Sequence, residues 1–283
     1  MKLVKETLFE FERGLNPKDA LGIGRVTKIQ KCFSDLDIYD DEYTITPNKV
    51  IFNSYLDLFN KNVTWLPDNL NIRGWLDLRN TPITKLPIGL WVGDNLDLSY
   101  SKITKLPKGL YVGRDLDLEG TAITELPDDL EIKGNLKLSR SLITKLPDYL
   151  RVGRDIDLNN TLITKFPNGF NDLNGYLDLT NTPIIKLPDN LRVNGNLLLT
   201  NTPITELPEQ LKVIGHLVLK NTKITKLPKG LYVGWDLDLE GTAITELPDD
   251  LEVYDYINVS QVQKELIAFI ENSKFADKLQ IDK

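Results

Sequence analysis

From Leu66 onward the apolar positions fall into one phrase that repeats about every twenty residues. Written out it is LPxxLxVxGxLxLxxTxITx, with the Gly able to sit one place earlier, as in LPKGLYVGRDLDLEGTAITE from Leu106. Prolines mark the period at Pro67, Pro87, Pro107, Pro127, Pro147, Pro167, Pro188, Pro208, Pro228 and Pro248, a step of 20 broken once by a step of 21. Ten such units run to about Ser260. An eroded unit precedes them in YLDLFNKNVTW, where Leu56 and Leu58 hold the leucine places and Val63 that of the Ile. Self-similarity at so short a period is the signature of a stacked, quasi-one-dimensional fold.

Leucines two apart point to one side of an extended strand, and the residues around them point to the other. The following Ile (Ile83, Ile103, Ile123 and their equivalents) and the Leu of the next LP fold the chain back over those leucines, while Pro stiffens the extended return path. Twenty residues leave little room for a helix. No unit can bury its apolar side alone, so each strand must pair in parallel with the same strand of the next unit at about 4.8 Å. Eleven strands are predicted, beginning at Leu56, Leu76, Leu96, Leu116, Leu136, Ile156, Leu177, Leu197, Leu217, Leu237 and Ile257. At that spacing they form a slab roughly 50 Å long. The extra residue near NGFNDLNGYL is expected to bulge a loop without breaking the stack.

A hydroxyl recurs three places after the second strand leucine, at Thr81, Ser101, Thr121, Ser141, Thr161, Thr182, Thr202, Thr222 and Thr242. At a turn such a side chain can bond backbone groups that the bend leaves unpaired, so nine equivalent copies read as a structural ladder. With these residues in view, LDLRNTPITKLP from Leu76 resembles the leucine-rich repeat, with Thr in place of the family's usual Asn. The 20-residue length and the LP resemble the short bacterial subclass found in secreted effectors, and the LPxxLxVxGxLxLxxT wording resembles phage and prophage proteins of unknown role. The leader FERGLNPKDALGIG from Phe11 resembles an opening met in phage-encoded proteins. The resemblance implies a β-rich repeat solenoid of parallel strands, with little or no convex helix, that binds proteins. Some effector relatives carry a ubiquitin-ligase domain after the repeats; about 23 residues follow Ser260 here, with no Cys, so that activity is not expected of this sequence.

The ends depart from the phrase. Asn16 and Pro17 suit the first turn of a helix, and RVTKIQKCFSDL places Val26, Ile29, Cys32, Phe33 and Leu36 at helical spacing. At the other end Ser260 is expected to cap VQKELIAFIENS, with Val262, Leu266, Phe269 and Ile270 on one face. Because a solenoid exposes apolar core at both ends, helical caps are the expected solution. The chain thus divides into a helical cap at 1–45, a degenerate repeat at 46–65, ten repeats at 66–259 and a helical cap at 260–283.

If the leucines face inward, the outer side of the strands carries the candidate partner-binding residues. One patch is a carboxylate row, Asp57, Asp77, Asp97, Asp117, Asp157 and Asp178, with Asp115 and Asp155 beside it and Lys137 interrupting it. Like charges about 5 Å apart repel by roughly 0.8 kcal/mol per pair even in water. The row is either a solvated face, a surface for a basic partner, or a site for ordered calcium, though no calcium-loop spacing accompanies it. The other patch is Leu198 and Val218 flanked by Tyr176, His216 and Tyr256, apolar where neighbouring rungs carry Asp. Either it is a binding site for a partner, or cap residues or another copy of the chain cover it. A basic row before LP, including Lys85, Lys105 and Lys145, is interspersed with Glu125, Glu206 and Glu246 and reads as solubilising surface.

Composition narrows the chemistry further. Across 283 residues the net charge is −7, and no apolar run approaches the roughly 20 residues of a bilayer span. Glu6, Glu10 and Glu12 fall where an export signal would need an apolar stretch, which predicts a cytoplasmic protein. Cys32 and His216 are each alone, which removes disulfides, zinc clusters and the usual catalytic triads. Cys32 reads as a small apolar helix residue and His216 as an exposed, non-catalytic one. The stretch from Thr104 to Ile132 recurs from Thr225 to Val253 with only Arg114 changed to Trp235 and Ile132 to Val253, a reshuffling that suits a modular surface better than a catalytic centre. The expectation is a non-enzymatic protein-binding module without cofactor or metal, phage- or prophage-encoded. Its rivals are a virion assembly protein and an acidic inhibitor of a host DNA-binding protein.

Overall fold

The alternating leucines fold as their spacing predicts. In the computed structural model, which describes residues 17–167 and 169–282, each LxL segment opens a short strand, two residues long in all but the last, and these strands pair in parallel from Leu56–Asp57 to Ile257–Ser260. Equivalent residues lie opposite one another, Leu96 against Leu116 and Asp97 against Asp117. The strand leucines and the following Ile are buried at every rung, as are Leu56, Leu58 and Val63 of the eroded unit. The chain is a parallel-strand solenoid with a helix towards each end.

Two features go beyond the periodic reading. First, the xVx segment of each unit is also a strand, so every turn of the solenoid carries two. Trp91–Val92, Tyr111–Val112 and their equivalents form a second parallel sheet on the other side of the core. Its inward Val, Ile or Leu is buried at nearly every rung, and Val152 is half-buried. Between the two strands the turns of successive rungs nest so closely that a Cβ on Gly113 would collide with the carbonyl oxygen of Gly93. Only glycine permits that approach.

Second, the extra residue does interrupt one sheet. The LxL sheet runs on through Ile156 and Leu177, twelve strands in all, but the second sheet divides into seven strands ending at Arg151–Val152 and five beginning at Asp172–Leu173. The expectation of an unbroken stack therefore holds on one side and fails on the other. The added residue lies before Asp172 and shifts that strand out of pairing reach, while the short path from Leu173 to Leu177 keeps the usual length. A cleft of about 530 Å³ opens at the joint, floored by Ile132, Leu150 and Phe170 and rimmed by Lys133, Arg151 and Asp172.

At the start, helix α1 (Pro17–Ser34) buries Ile29 and Phe33 against Tyr43 and Phe52, with ring centroids 4.7 and 5.5 Å from Phe33. Its proposed cap Asn16 and the other leader residues from 11 to 15 lie outside the described residues. An antiparallel hairpin, Tyr43–Ile45 with Val50–Phe52, follows and starts the second sheet, an element the helical reading of 1–45 did not include. Cys32 is half-buried, and burial followed by the nearby Asp35 pushes its thiol above the ordinary value.

At the other end helix α2 (Lys264–Glu271) buries Leu266 and Ile270 but begins later than expected. Ser260 ends the last LxL strand and is not its cap, and Val262 stands 81% exposed ahead of the helix. The reason is Gln263. Its carboxamide accepts from the Ser260 N–H at 2.8 Å and donates to the carbonyls of Leu239 at 3.0 Å and Thr242 at 3.2 Å, tying the helix start to the rung below. After α2 the chain returns as a further parallel strand, Leu279–Asp282, beside Ile257–Ser260. No helix among the described residues is long and apolar enough to cross a membrane.

Candidate protein-binding face

The hydroxyl column has the expected role at six of its positions. Thr81, Thr121, Thr161, Thr182, Thr202 and Thr242 each donate to the carbonyl three residues back, at 2.6 to 2.8 Å. The buried hydroxyls of Ser101, Ser141 and Thr222 have no partner.

The aspartate column, by contrast, is not the free row of charge that its alternation suggests. At Asp57, Asp77, Asp97, Asp117, Asp157, Asp178 and Asp238 one carboxylate oxygen accepts the main-chain N–H two residues on, at 2.8 to 3.0 Å. Each Asp thereby closes the turn that ends its own strand, the local bond for which Asp is well suited. Each such bond takes up one of the acceptor sites of its carboxylate. Lys137, Leu198 and Val218 occupy the same place and cannot accept such a bond, so at those rungs the outward side chain is released from this structural task.

The preceding column forms a second ladder. A side-chain oxygen of Asn95, Asp115, Asn135, Asp155, Asn196 and Asp236 accepts the main-chain N–H of the next rung at 2.7 to 3.1 Å. Asp115 and Asp155 therefore hold the stack together as well as lining the face. His216 belongs to this column and is half-buried, not exposed, and its ring meets Trp235 edge-on at 4.9 Å. Its Nδ1 lies 3.1 Å from the Asp236 carboxylate and 3.4 Å from the Asp236 main-chain nitrogen. A bare Nδ1 accepts from that N–H and continues the ladder, whereas a protonated one pairs with the carboxylate. Tyr176 and Tyr256 cannot accept in this way and mark its interruptions.

Charge is unevenly balanced along the face. Arg79 pairs with Asp77 at 2.5 Å and Asp97 at 3.4 Å, and Asp77 is only 5% exposed, so it is withdrawn from any partner. Lys137 lies 3.4 Å from Asp117. Among the described residues no cationic side chain lies within ion-pair distance of Asp155, Asp157 or Asp178. Burial is the main cause that lifts the Asp117 and Asp157 carboxyls above the ordinary aspartate value, and the neighbouring Asp178 adds to it at Asp157. The same surroundings act on Tyr176, whose hydroxyl is pushed up to about 12 by burial and then by Asp157, Asp155 and Asp178. Register carries the face directly from these carboxylates onto apolar side chains, Asp157 beside Asp178, Asp178 beside Leu198 and Leu198 beside Val218. Leu198 and Val218 are half-buried, not fully exposed as their outward position suggests, while Tyr256 at the end of the face is 47% exposed. Among the described residues, no three or more His, Cys, Asp or Glu side chains gather as a metal site.

No protein-family model matches the chain, and no curated protein matches it. Among solved structures it is similar to YopM from Yersinia enterocolitica WA-314, with a TM-score of 0.41 and 18% sequence identity over 91% of this chain and 65% of that one. This chain thus spans a little under two thirds of YopM's length.

What the sequence pattern left out is the double duty of the Asp and Asn columns. The signal was present in their recurrence at fixed distance from the strand leucines, the same signal that identified the hydroxyl ladder. A carboxylate, however, reads equally as surface charge until its bond to the backbone is seen.

Proposed function

We propose that the protein is a non-catalytic interaction module whose twelve-stranded face grips a protein partner, with the repeats at 66–259 as the binding body and the two ends as covers. The observation that carries this reading is the meeting of uncompensated, half-buried carboxylates at Asp155, Asp157 and Asp178 with an apolar strip at Leu198 and Val218. From Asp157 to Val218 is three rungs, about 14 Å, the reach of a short extended segment. A partner offering Lys or Arg beside an apolar side chain would neutralise the first group and dry the second, and Tyr176 between them offers a rigid amphipathic contact. His216 and Tyr256 extend the same surface towards the end of the sheet.

The repeat wording, similar to that of phage and prophage proteins, supports a place in a host cytoplasm. An acidic mimic of nucleic acid is the weaker reading, because Arg79 and Lys137 neutralise the first half of the row and the turn bonds take up an acceptor site of each carboxylate. Affinity capture from the cytoplasm of the native host tests the proposal. A partner held by the unaltered chain is expected to be lost with Leu198→Asp plus Val218→Asp, weakened and made less salt-sensitive with Asp157→Asn plus Asp178→Asn, and retained with Lys165→Ala, which lies outside the strands of the face. Equal retention by all variants would remove the face from consideration.

A further inference from the structure

The strand Leu279–Asp282 is the last of the twelve-stranded sheet, paired on one edge with Ile257–Ser260. Half of its backbone N–H and C=O groups therefore point away from the sheet, a template for another strand. Four residues make it a longer edge than the two-residue Leu56–Asp57 at the far end of the same sheet. Its core-side residues are Leu279, which packs partly against the core, and Ile281, which lies opposite the fully buried Val259 yet is itself 45% exposed. The core thus reaches this strand and is left uncovered there. Gln280 and Asp282 lie on the other side, both exposed.

The sequence around this edge is complementary to itself when reversed. In an antiparallel pairing of two copies centred on Gln280, Lys278 stands opposite Asp282 of the second copy, Leu279 opposite Ile281, and Gln280 opposite Gln280. Each opposed pair then shares a face, with two Lys–Asp pairs and a carboxamide pair on one side and two aliphatic pairs on the core side. Lys278 ends a short 3-10 turn (Ala276–Lys278) and reaches the Tyr254 carbonyl at 2.7 Å, so it is already extended along the rim of the end face. A shift of one residue would take Lys278 away from Asp282 and place Ile281 opposite Gln280, which discards both complementarities.

We propose that this edge is the interface of a two-fold dimer in which two solenoids join end to end and their sheets become one. The symmetry closes after two copies, so the assembly is a dimer and not a filament. This surface lies at the end of the sheet and is independent of the face assigned above to a protein partner.

Sedimentation of the purified full chain over a range of concentrations tests it. The expected species are 32.2 kDa at high dilution and twice that mass on concentration. Lys278→Asp alone and Asp282→Lys alone each place like charges opposite one another and should weaken dimerisation by about tenfold or more. The two changes combined in one chain should restore it, as should mixing the two single variants. Ile281→Lys should leave a monomer, with an unaltered circular dichroism spectrum showing that the fold survives. A chain that stays monomeric at all concentrations would overturn the proposal, as it would if the edge served a foreign strand. A dimer indifferent to the charge exchange would equally overturn it, because it would arise from another surface.

Discussion

Residues 104–132 and 225–253 are nearly the same sequence placed twice in one solenoid, differing only at Arg114/Trp235 and Ile132/Val253. Their internal bonds are the same. Asp117 and Asp238 accept the N–H of Glu119 and Glu240 at 3.0 and 2.9 Å, and Thr121 and Thr242 bond the carbonyls of Leu118 and Leu239 at 2.7 and 2.8 Å. The Gly109 and Gly230 N–H groups both reach the Asp one unit on, Asp129 at 2.8 Å and Asp250 at 3.0 Å.

Their surfaces are not the same. In the first copy Glu119 meets Tyr100 at 2.5 Å and Arg140 at 2.8 Å, Asp117 faces Lys137, and Arg114 lies 3.5 Å from Asp94. In the second, Glu240 pairs with Lys220, and Trp235 stands edge-on to His216. Tyr111 stacks on Trp91 at 5.2 Å, while its counterpart Tyr232 lies under Lys212 at 4.9 Å. A unit therefore repeats its internal bonds wherever it is placed, and its neighbours decide what chemistry it shows.

Breaking the core of either copy should have the largest effect and the same one. Leu116→Ala and Leu237→Ala each remove a fully buried side chain from a stack that cannot collapse around the gap, at a cost of about 2–5 kcal/mol measured by equilibrium denaturation. A clear inequality between them would mean that the two environments differ inside as well as outside.

The turn aspartates come next. Asp117→Ala and Asp238→Ala each lose the turn bond, worth about 1 kcal/mol. Asn keeps an acceptor and removes the charge, so Asp238→Asn should be better tolerated than Asp117→Asn, which also gives up the contact with Lys137. Acid titration sharpens this. Burial is the leading cause that raises the Asp238 carboxyl above its ordinary value of 3.8. An acid raised in the folded state favours the protonated fold, so its contribution to stability increases as pH falls through the folded value and is complete below 3.8. The Asp238→Asn variant should lose this local gain when unfolding free energy is followed against pH.

The exchanged residue should matter least to stability. Arg114→Ala breaks an exposed ion pair and should shift stability by less than about 0.5 kcal/mol. Trp235→Arg should likewise leave the fold intact, but it removes the ring that meets His216 edge-on, so the ring-proton NMR shifts of His216 should move while the melting curve does not.

Much of this was legible in the chain before its structure. The leucines two apart and the returning Ile define rungs by period and volume, and the Thr column follows from the turn they force. The second sheet was not legible, because each of its strands offers a single inward Val, Ile or Leu between variable residues, too little alternation to separate a strand from a loop. The late start of α2 was hidden for a related reason. Ser260 is a good cap in isolation, but the carboxamide of Gln263 finds better partners on the rung beneath. At the candidate face the composition of the patches was readable, whereas the withdrawal of Asp77 and the shielding of His216 depend on which side chains the stacking brings alongside.

The interruption at Asp172 leaves the solenoid joined by one backbone ladder where elsewhere there are two. Coupling between neighbouring rungs is what makes such a chain melt as a unit, and here that coupling is halved at a single place. Amide exchange should accordingly divide the molecule into two blocks of different protection, with the boundary between Val152 and Leu173, and a destabilised rung in one block should leave the other standing.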